Sequence, residues 1–384
     1  MVQSGFRWVL VRCIVGVLYV MAIPTDCIGQ EAIPKWTGIG IEANLIAGKV
    51  IKHEAKFTLP IPALSTGLDL NLVFKTHGKK AWQQGRHYPT LGLGFTYLHY
   101  GNDAVYGNCL GVYPNITIPL YTGKKLALSV RLGDGLGYVN KTYSRTAPVD
   151  TINVAIGAHI NDFAMIAGSL RYTINRHWDV ELGADMIHIS NATNVKPNLG
   201  INMMGLTMGV RYFPVSSHPM PISVVRPALK NRWLVQLHHG MAMVASYTPG
   251  GPSYPVYLGS AYAAYRWMGK NKLMAGLDYS YHSDTYYFLR NTLLIPGQEA
   301  QNSWKSGLVL GNEFLYGRVG ILLQLGYYLK QSYIRKDDFY EKIGVNYYLV
   351  QKEKGPIKEM YLSAHLKSHG TVAELGELGV GVGF

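Results

Sequence analysis

The sequence predicts an all-β protein, an antiparallel transmembrane barrel of the outer-membrane type with about sixteen strands in two halves. Three observations predict it. Only 15% of the 384 residues are charged, whereas a soluble domain averages about 25%, and Gly (43) and Tyr (28) are abundant. Past residue 30 no apolar run reaches the roughly 18 residues that a spanning helix needs. Long segments place apolar residues at every second position, the repeat of a strand with one face in lipid. The 48% hydrophobic content excludes a disordered chain, and the mean hydropathy of +0.04 excludes a bundle of membrane helices. Tyr outnumbers Phe by 28 to 10, which suits membrane interfaces better than a dry core.

Residues 1–29 read as a signal peptide. Arg7 and Arg12 form a basic start, Cys13 to Ile23 is apolar, Pro24 breaks the run, and the small residues Cys27 and Gly29 permit cleavage before Gln30. The apolar run is too short for an anchor, and Cys27 lacks a preceding Leu-Ala-Gly-like lipobox. Cleavage would leave Cys109 as the single cysteine, without a disulfide partner. The formal net charge of +13 would suit nucleic acid in a soluble chain. In an exported barrel it suits the phosphates and acidic sugars of a lipopolysaccharide leaflet, and nucleic acid is not expected. The clearest basic loop with an aromatic runs from Lys75 to Arg86, around Trp82.

The strands follow in order. Ile39, Ile41, Ala43 and Leu45 oppose Gly38, Gly40, Glu42 and Asn44, and Leu68, Leu70, Leu72 and Phe74 alternate with Asp69, Asn71 and Val73. Val319, Ile321, Leu323, Leu325 and Tyr327 repeat the pattern late in the chain, as do Leu378, Val380, Val382 and Phe384 at its end. About eight such segments lie in 30–213 and about eight in 231–384, separated by a Pro-rich linker at 214–230 that carries no ladder. One barrel of about sixteen strands or two of eight would satisfy this pattern. The single terminal Phe384 tilts the reading towards one closed sheet, although Gly209 to Phe213 also looks like a barrel ending. An exported soluble sandwich would have strands of about five or six residues, shorter than these.

The strand from Trp178 to Ser190 departs from its own pattern. Val180, Leu182, Ala184 and Met186 lie on the apolar face, and His188 and Ser190 continue it. Polar groups on a lipid face require an interfacial position or a purpose. Residues two apart point the same way at about 7 Å, so an imidazole there reaches a serine as its general base. Interfacial placement alone would also account for the pair.

His188-Ile-Ser-Asn191, a second Asn at Asn198, and the closing strand Gly209-Val-Arg-Tyr-Phe213 resemble the PagL family of lipid A 3-O-deacylases, also called acyloxyacyl hydrolases. Arg131 to Tyr138 and Ala155 to His159 resemble the longer, two-part members. The resemblance implies an eight-stranded enzyme barrel over about residues 36–213, with its site on the outer wall, and a second half of unassigned role. It implies Ser190 as nucleophile, His188 as general base, and Asn191 and Asn198 as positioning or oxyanion groups. Lipid A or a related glycolipid would be the substrate and the bacterial outer membrane the location; a homodimer is left open. The family's glutamate is Asn202 here, on the face of Met204, Leu206 and Met208. An amide orients an imidazole without offsetting an imidazolium, and the acid-to-Asn change in a chymotrypsin-like triad lowered the rate about 10⁴-fold. A slower esterase, the use of another carboxylate, and an inactive barrel (pore, adhesin or structural protein) remain as readings.

No metal or organic cofactor is expected. His238, His239, His282 and His365 show no ligand pair at helical or finger spacing. His365, Lys367 and His369, like Glu374 and Glu377, read as lumen residues, and no helix is apparent.

Overall fold

The computed structural model describes residues 36–384 apart from 53–55, 147, 216–228, 247, 336 and 371. The signal peptide with Cys13 and Cys27, and most of the linker, lie outside the described residues. In the first half the strands are β1 (Ile39–Ile51), β2 (Ser65–Lys75), β3 (Thr90–His99), β4 (Asn108–Thr122), β5 (Leu126–Val139), β6 (Ile160–Thr173), β7 (Trp178–Ser190) and β8 (Ile201–Tyr212). The second half holds β9 (Arg232–Ala245), β10 (Ser253–Trp267), β11 (Asn271–His282), β12 (Trp304–Tyr316), β13 (Val319–Lys330), β14 (Phe339–Gln351), β15 (Glu359–His369) and β16 (Val372–Gly383).

These strands close as two antiparallel barrels of eight, β1–β8 and β9–β16. This corrects the leaning towards one closed sheet. Ile41 pairs with Tyr212, so β8 returns to β1, and Gly383 pairs with Gln236, so β16 returns to β9. Each half thus satisfies its own edge strands, which a membrane sheet must do. Gly209 to Phe213 is a true barrel ending, and Phe384 ends the second barrel.

The alternation sorts side chains as expected. Leu45, Leu70, Phe95, Leu182 and Leu206 are exposed on the outer wall, while Glu42, Asp69, Arg131, Glu181 and Arg211 are buried inside. Within the first barrel Glu42 accepts hydrogen bonds from Arg131 and Arg211, and Asp69 accepts from Tyr113 (2.5 Å), Thr96 (2.7 Å) and Arg131 (3.1 Å). In the second, Glu359 takes Arg266 (3.1 Å) and Lys272 (2.6 Å). An eight-stranded barrel has an interior that side chains can fill, and these do so.

Strand direction puts the β1–β2, β3–β4, β5–β6 and β7–β8 connections at one end, here the upper end. There an apolar cluster of Phe57, Leu59, Tyr100, Tyr106, Ile156, Phe163, Ile187, Ile189 and Ile201 fills the barrel and packs under its loops. The free Cys109 is buried in this cluster. Ile187 and Ile189 flank His188 in sequence and point inward, so the core fixes the backbone that carries the outward polar pair.

One expectation needs correction, that no helix is present, and the basic loop takes a definite place. The basic loop around Trp82 belongs to the β2–β3 connection, at the lower end. There the short helix α1 (Ala81–Gly85) sits against the second barrel: Arg86 donates to the Lys270 carbonyl (2.5 Å) and Asn271 Oδ1 (3.0 Å), and Trp82 packs edge-on to Tyr316 at 6.3 Å. Arg86 is thus engaged by oxygen acceptors of the second barrel, while Lys79 and Lys80 of the same loop are exposed. Helix is also present, in α1 and in α2 (Ser283–Thr292) over the upper end of the second barrel. The Tyr-Tyr-Phe run of α2 gives no clear helical stripe, and only Ser283, Asp284, Thr285 and Leu289 are buried.

Candidate active site

The β7–β8 hairpin carries the outward polar group. His188 pairs in register with Asn202 on β8 and with Ala164 on β6. Paired residues of antiparallel strands share a face, so Asn202 points outward beside His188. His188 Nε2 lies 3.0 Å from Ser190 Oγ, and His188 Nδ1 lies 2.5 Å from Asn202 Oδ1. An amide oxygen only accepts, so with the amide in this orientation Nδ1 carries the proton and Nε2 presents its lone pair to the serine hydroxyl. Below them the wall is apolar, with Leu182, Met186, Met204 and Leu206 exposed.

Ser190 is itself covered, 3% exposed, because the following loop folds back over the strand end. Gly200 makes that return possible. Its φ is +80°, and a Cβ there would stand 3.1 Å from His188 Cε1 and 3.5 Å from Ser190 Cβ. The loop is tied internally by the two asparagines singled out in the sequence. Asn191 exchanges two hydrogen bonds with the Val195 backbone (3.0 and 3.2 Å), and Asn198 Oδ1 accepts from the Asn191 N–H at 3.0 Å. Both amides therefore act on the loop itself. The Asn198 carbonyl is fixed by this bond, which sets the direction of its Nδ2. The segment Ala155–His159 backs the loop: Gly200 N–H donates to the Ala155 carbonyl at 3.0 Å, and a Cβ at Gly157 would meet the Pro197 carbonyl at 2.6 Å.

Sequence reading missed an acidic pair on the same wall. Asp162 is the register partner of Ser190, and Asp134 lies one strand further, on the outer face of β5. Leu136 is paired with Asp162, so the two carboxyl groups stand on one face, two residues apart along the ladder. The signal was available: Asp134 interrupts the outward series Leu132, Leu136, Tyr138 just as His188 interrupts its own. The second barrel also holds a Ser–His contact, Ser280 Oγ to His282 Nε2 at 3.1 Å, with Asp284 Oδ1 3.5 Å from Nδ1. That group is buried within the barrel, without the apolar wall that borders His188. His365, Lys367 and His369 face the lumen as the alternation implied.

Residues 66–211 match the family model of lipid A 3-O-deacylase (PagL), and residues 231–384 match the acyloxyacyl hydrolase C-terminal domain. Among solved structures, the outer membrane enzyme PagL is 18% identical, with 48% of this chain and 99% of that chain covered and a TM-score of 0.30. Neisserial surface protein A is 11% identical over 46% of this chain and 97% of that chain, with a TM-score of 0.32. A mutant Rh. blastica porin is 13% identical over 90% and 99%, with a TM-score of 0.20. No curated protein matches the chain.

Proposed function

The chain belongs to the PagL lipid A deacylase family in its two-part form, an outer-membrane barrel of hydrolase lineage, and from that premise we propose that it cleaves an ester-linked acyl chain of lipid A with Ser190 and His188 at its membrane-facing wall. The observation that carries this reading is the outward chain of contacts Ser190–His188–Asn202, at 3.0 and 2.5 Å, bordered below by exposed Met and Leu side chains. An acyl chain lying along that wall would bring its ester to the serine without leaving the bilayer.

In the proposed reaction Ser190 Oγ attacks the ester carbonyl while His188 Nε2 takes the hydroxyl proton. The tetrahedral intermediate then expels the glycolipid alkoxide, which receives that proton from His188. An acyl-serine remains. Water, deprotonated by His188, attacks it and releases the fatty acid, returning the proton to Ser190. Asn198 Nδ2, aimed by the bond its carbonyl makes to Asn191, would donate to the oxyanion, where a water-poor site gives such donors most effect. Asn202 would hold the productive tautomer but add no negative charge beside the imidazolium, so the reading is of a slow deacylase. Asp134 and Asp162 would meet the polar headgroup next to the serine.

The test is mass spectrometry of lipid A incubated with refolded protein in detergent, alongside Ser190→Ala. Loss of one acyl mass with the wild type alone is the expected result. A folded wild type that leaves several lipid A forms intact would instead make the motif a relic on a structural barrel. The pore reading has less support, since charged side chains fill both lumens.

A further inference from the structure

We propose that the second barrel binds one divalent transition-metal ion of the zinc class between His238, His365 and Glu377, fastening the strands where that barrel closes. The three side chains come from β9, β15 and β16 and are buried, 5%, 6% and 2% exposed. One ligand atom from each lies within 4.8 Å of the others. His238 Nδ1 stands 3.3 Å from Glu377 Oε1. A zinc ion with bonds of about 2.0–2.1 Å in tetrahedral geometry spaces its ligand atoms by about 3.3–3.4 Å, so this pair is already at that spacing.

Four polar atoms of the cluster are buried and open to an ion. Glu377 Oε1 and Oε2, His238 Nδ1 and His365 Nδ1 are buried without a hydrogen-bond partner. Asn346 Nδ2 donates to Glu313 Oε1 at 3.0 Å, which leaves Asn346 Oδ1 to accept from His365 Nε2 at 2.9 Å. His365 is then protonated on Nε2, and its Nδ1 is a bare lone pair within the cluster that it forms with His238 and Glu377. A bare imidazole nitrogen and a carboxylate gathered this closely form a donor set that a cation can take. His238 Nε2 lies 2.8 Å from Ser363 Oγ, a hydroxyl that can accept from it and so free Nδ1 for an ion. Outer partners that fix ligand imidazoles in this way are a regular feature of metal sites. Lys342 lies 3.4 Å from Glu377 Oε2 but is shared with Asp278 at 3.0 Å, so its contact is with Oε2 and not with Oε1.

The backbone also makes room for the three side chains. Each lies over a glycine of a neighbouring strand: a Cβ at Gly240 would fall 2.2 Å from Glu377 Oε1, one at Gly379 2.5 Å from His238 Nε2, and one at Gly344 2.6 Å from His365 Cδ2. The location suits a fastening role. The closing ladder pairs Glu377–Gly383 with Ala242–Gln236 and is the shortest of the second barrel's ladders among the described residues. An ion there would cross-link three consecutive strands at the seam. Two imidazoles and one carboxylate suit zinc, nickel or copper rather than calcium or magnesium. The spacing rules of helices and fingers missed the set because a sheet, not a sequence motif, assembles it.

The experiment equilibrates the refolded full chain in detergent with Zn²⁺, removes free ion by desalting, and measures bound metal by plasma mass spectrometry. One zinc per chain is expected for the wild type, for Ser190→Ala, and for His239→Gln, whose side chain faces outward. His365→Gln and Glu377→Gln should retain less than a tenth of that amount while still running as folded barrels on unheated gels. A wild type without zinc, or variants that hold as much as the wild type, would overturn the proposal. If the variants do not fold, a zinc-edge anomalous map of wild-type crystals decides: a peak among the three residues supports the site, and a peak elsewhere or none removes it.

Discussion

Thr193 Oγ1 donates to the Glu374 carbonyl at 2.7 Å, so the loop that follows Ser190 in the first barrel is hydrogen-bonded to β16 of the second. Two further bonds reinforce the contact: Ala245 N–H to the Thr193 carbonyl (2.9 Å) and Ser253 Oγ to the Asn194 carbonyl (2.9 Å). The loop is strained at this point. Ala192 and Thr193 have φ of +49° and +66°, a region that β-branched residues avoid. Such backbone persists where surrounding structure over-determines it. Thr193→Val keeps the shape and removes the donor. It should lower the deacylation rate about three- to tenfold, in line with one hydrogen bond of about 1 kcal/mol, with the barrels' heat-modified gel shift unchanged. An unaltered rate would separate the second barrel from the site.

Asn202→Asp is nearly isosteric and keeps the 2.5 Å reach to His188 Nδ1. It would add the charge that stabilises an imidazolium; the reverse change in a chymotrypsin-like triad lowered kcat about 10⁴-fold, there through the wrong tautomer. The expected result is a rise in kcat of about tenfold or more, with KM little changed. Asn202→Ala should fall in the opposite direction, because the ring loses its fixed tautomer. Equal rates for Asn and Asp would mean that the amide is not the residue orienting His188.

Gly200→Ala tests the roof of the site. The residue sits at φ +80°, and its new methyl would stand 3.1 Å from His188 Cε1. Either the loop lifts or the ring turns off Ser190. Misplacement on that scale should lower kcat about 10²-fold while the apolar cluster beneath keeps the hairpin folded. A variant with wild-type kinetics would show that the imidazole does not need its place under Gly200.

The period-two pattern made strands, faces and the outward aim of His188, Ser190 and Asn202 readable, because lipid on one side and packed charge on the other constrain every second residue. Closure was not readable. A strand edge satisfied by β1 or by β9 looks the same in sequence, and only the pairing of Ile41 with Tyr212 decides it. The Asp134–Asp162 pair and the His238–His365–Glu377 set escaped for a related reason: cross-strand register, which no linear spacing encodes, brings them together. Arg86 shows a third limit, since a basic loop reads the same whether it meets a sugar phosphate or the Lys270 carbonyl.

Stability of the first barrel should depend on Glu42, fully buried, which receives hydrogen bonds from Arg131 and Arg211. Removing one member of a buried ion cluster typically destabilises by about 3–5 kcal/mol, because the remaining charge is left without a partner. Here the loss is buffered. Arg131 also bonds Asp69 at 3.1 Å, and Arg211 stands 3.6 Å from Glu181. Glu42→Ala is therefore expected near the lower end, about 3 kcal/mol, read as a leftward shift of the urea unfolding midpoint in detergent. Glu42→Gln keeps an acceptor for one guanidinium and should shift it less. If Glu42→Ala unfolds at the wild-type midpoint, Asp69 and Glu181 suffice to hold the arginines and the Glu42 carboxylate is dispensable.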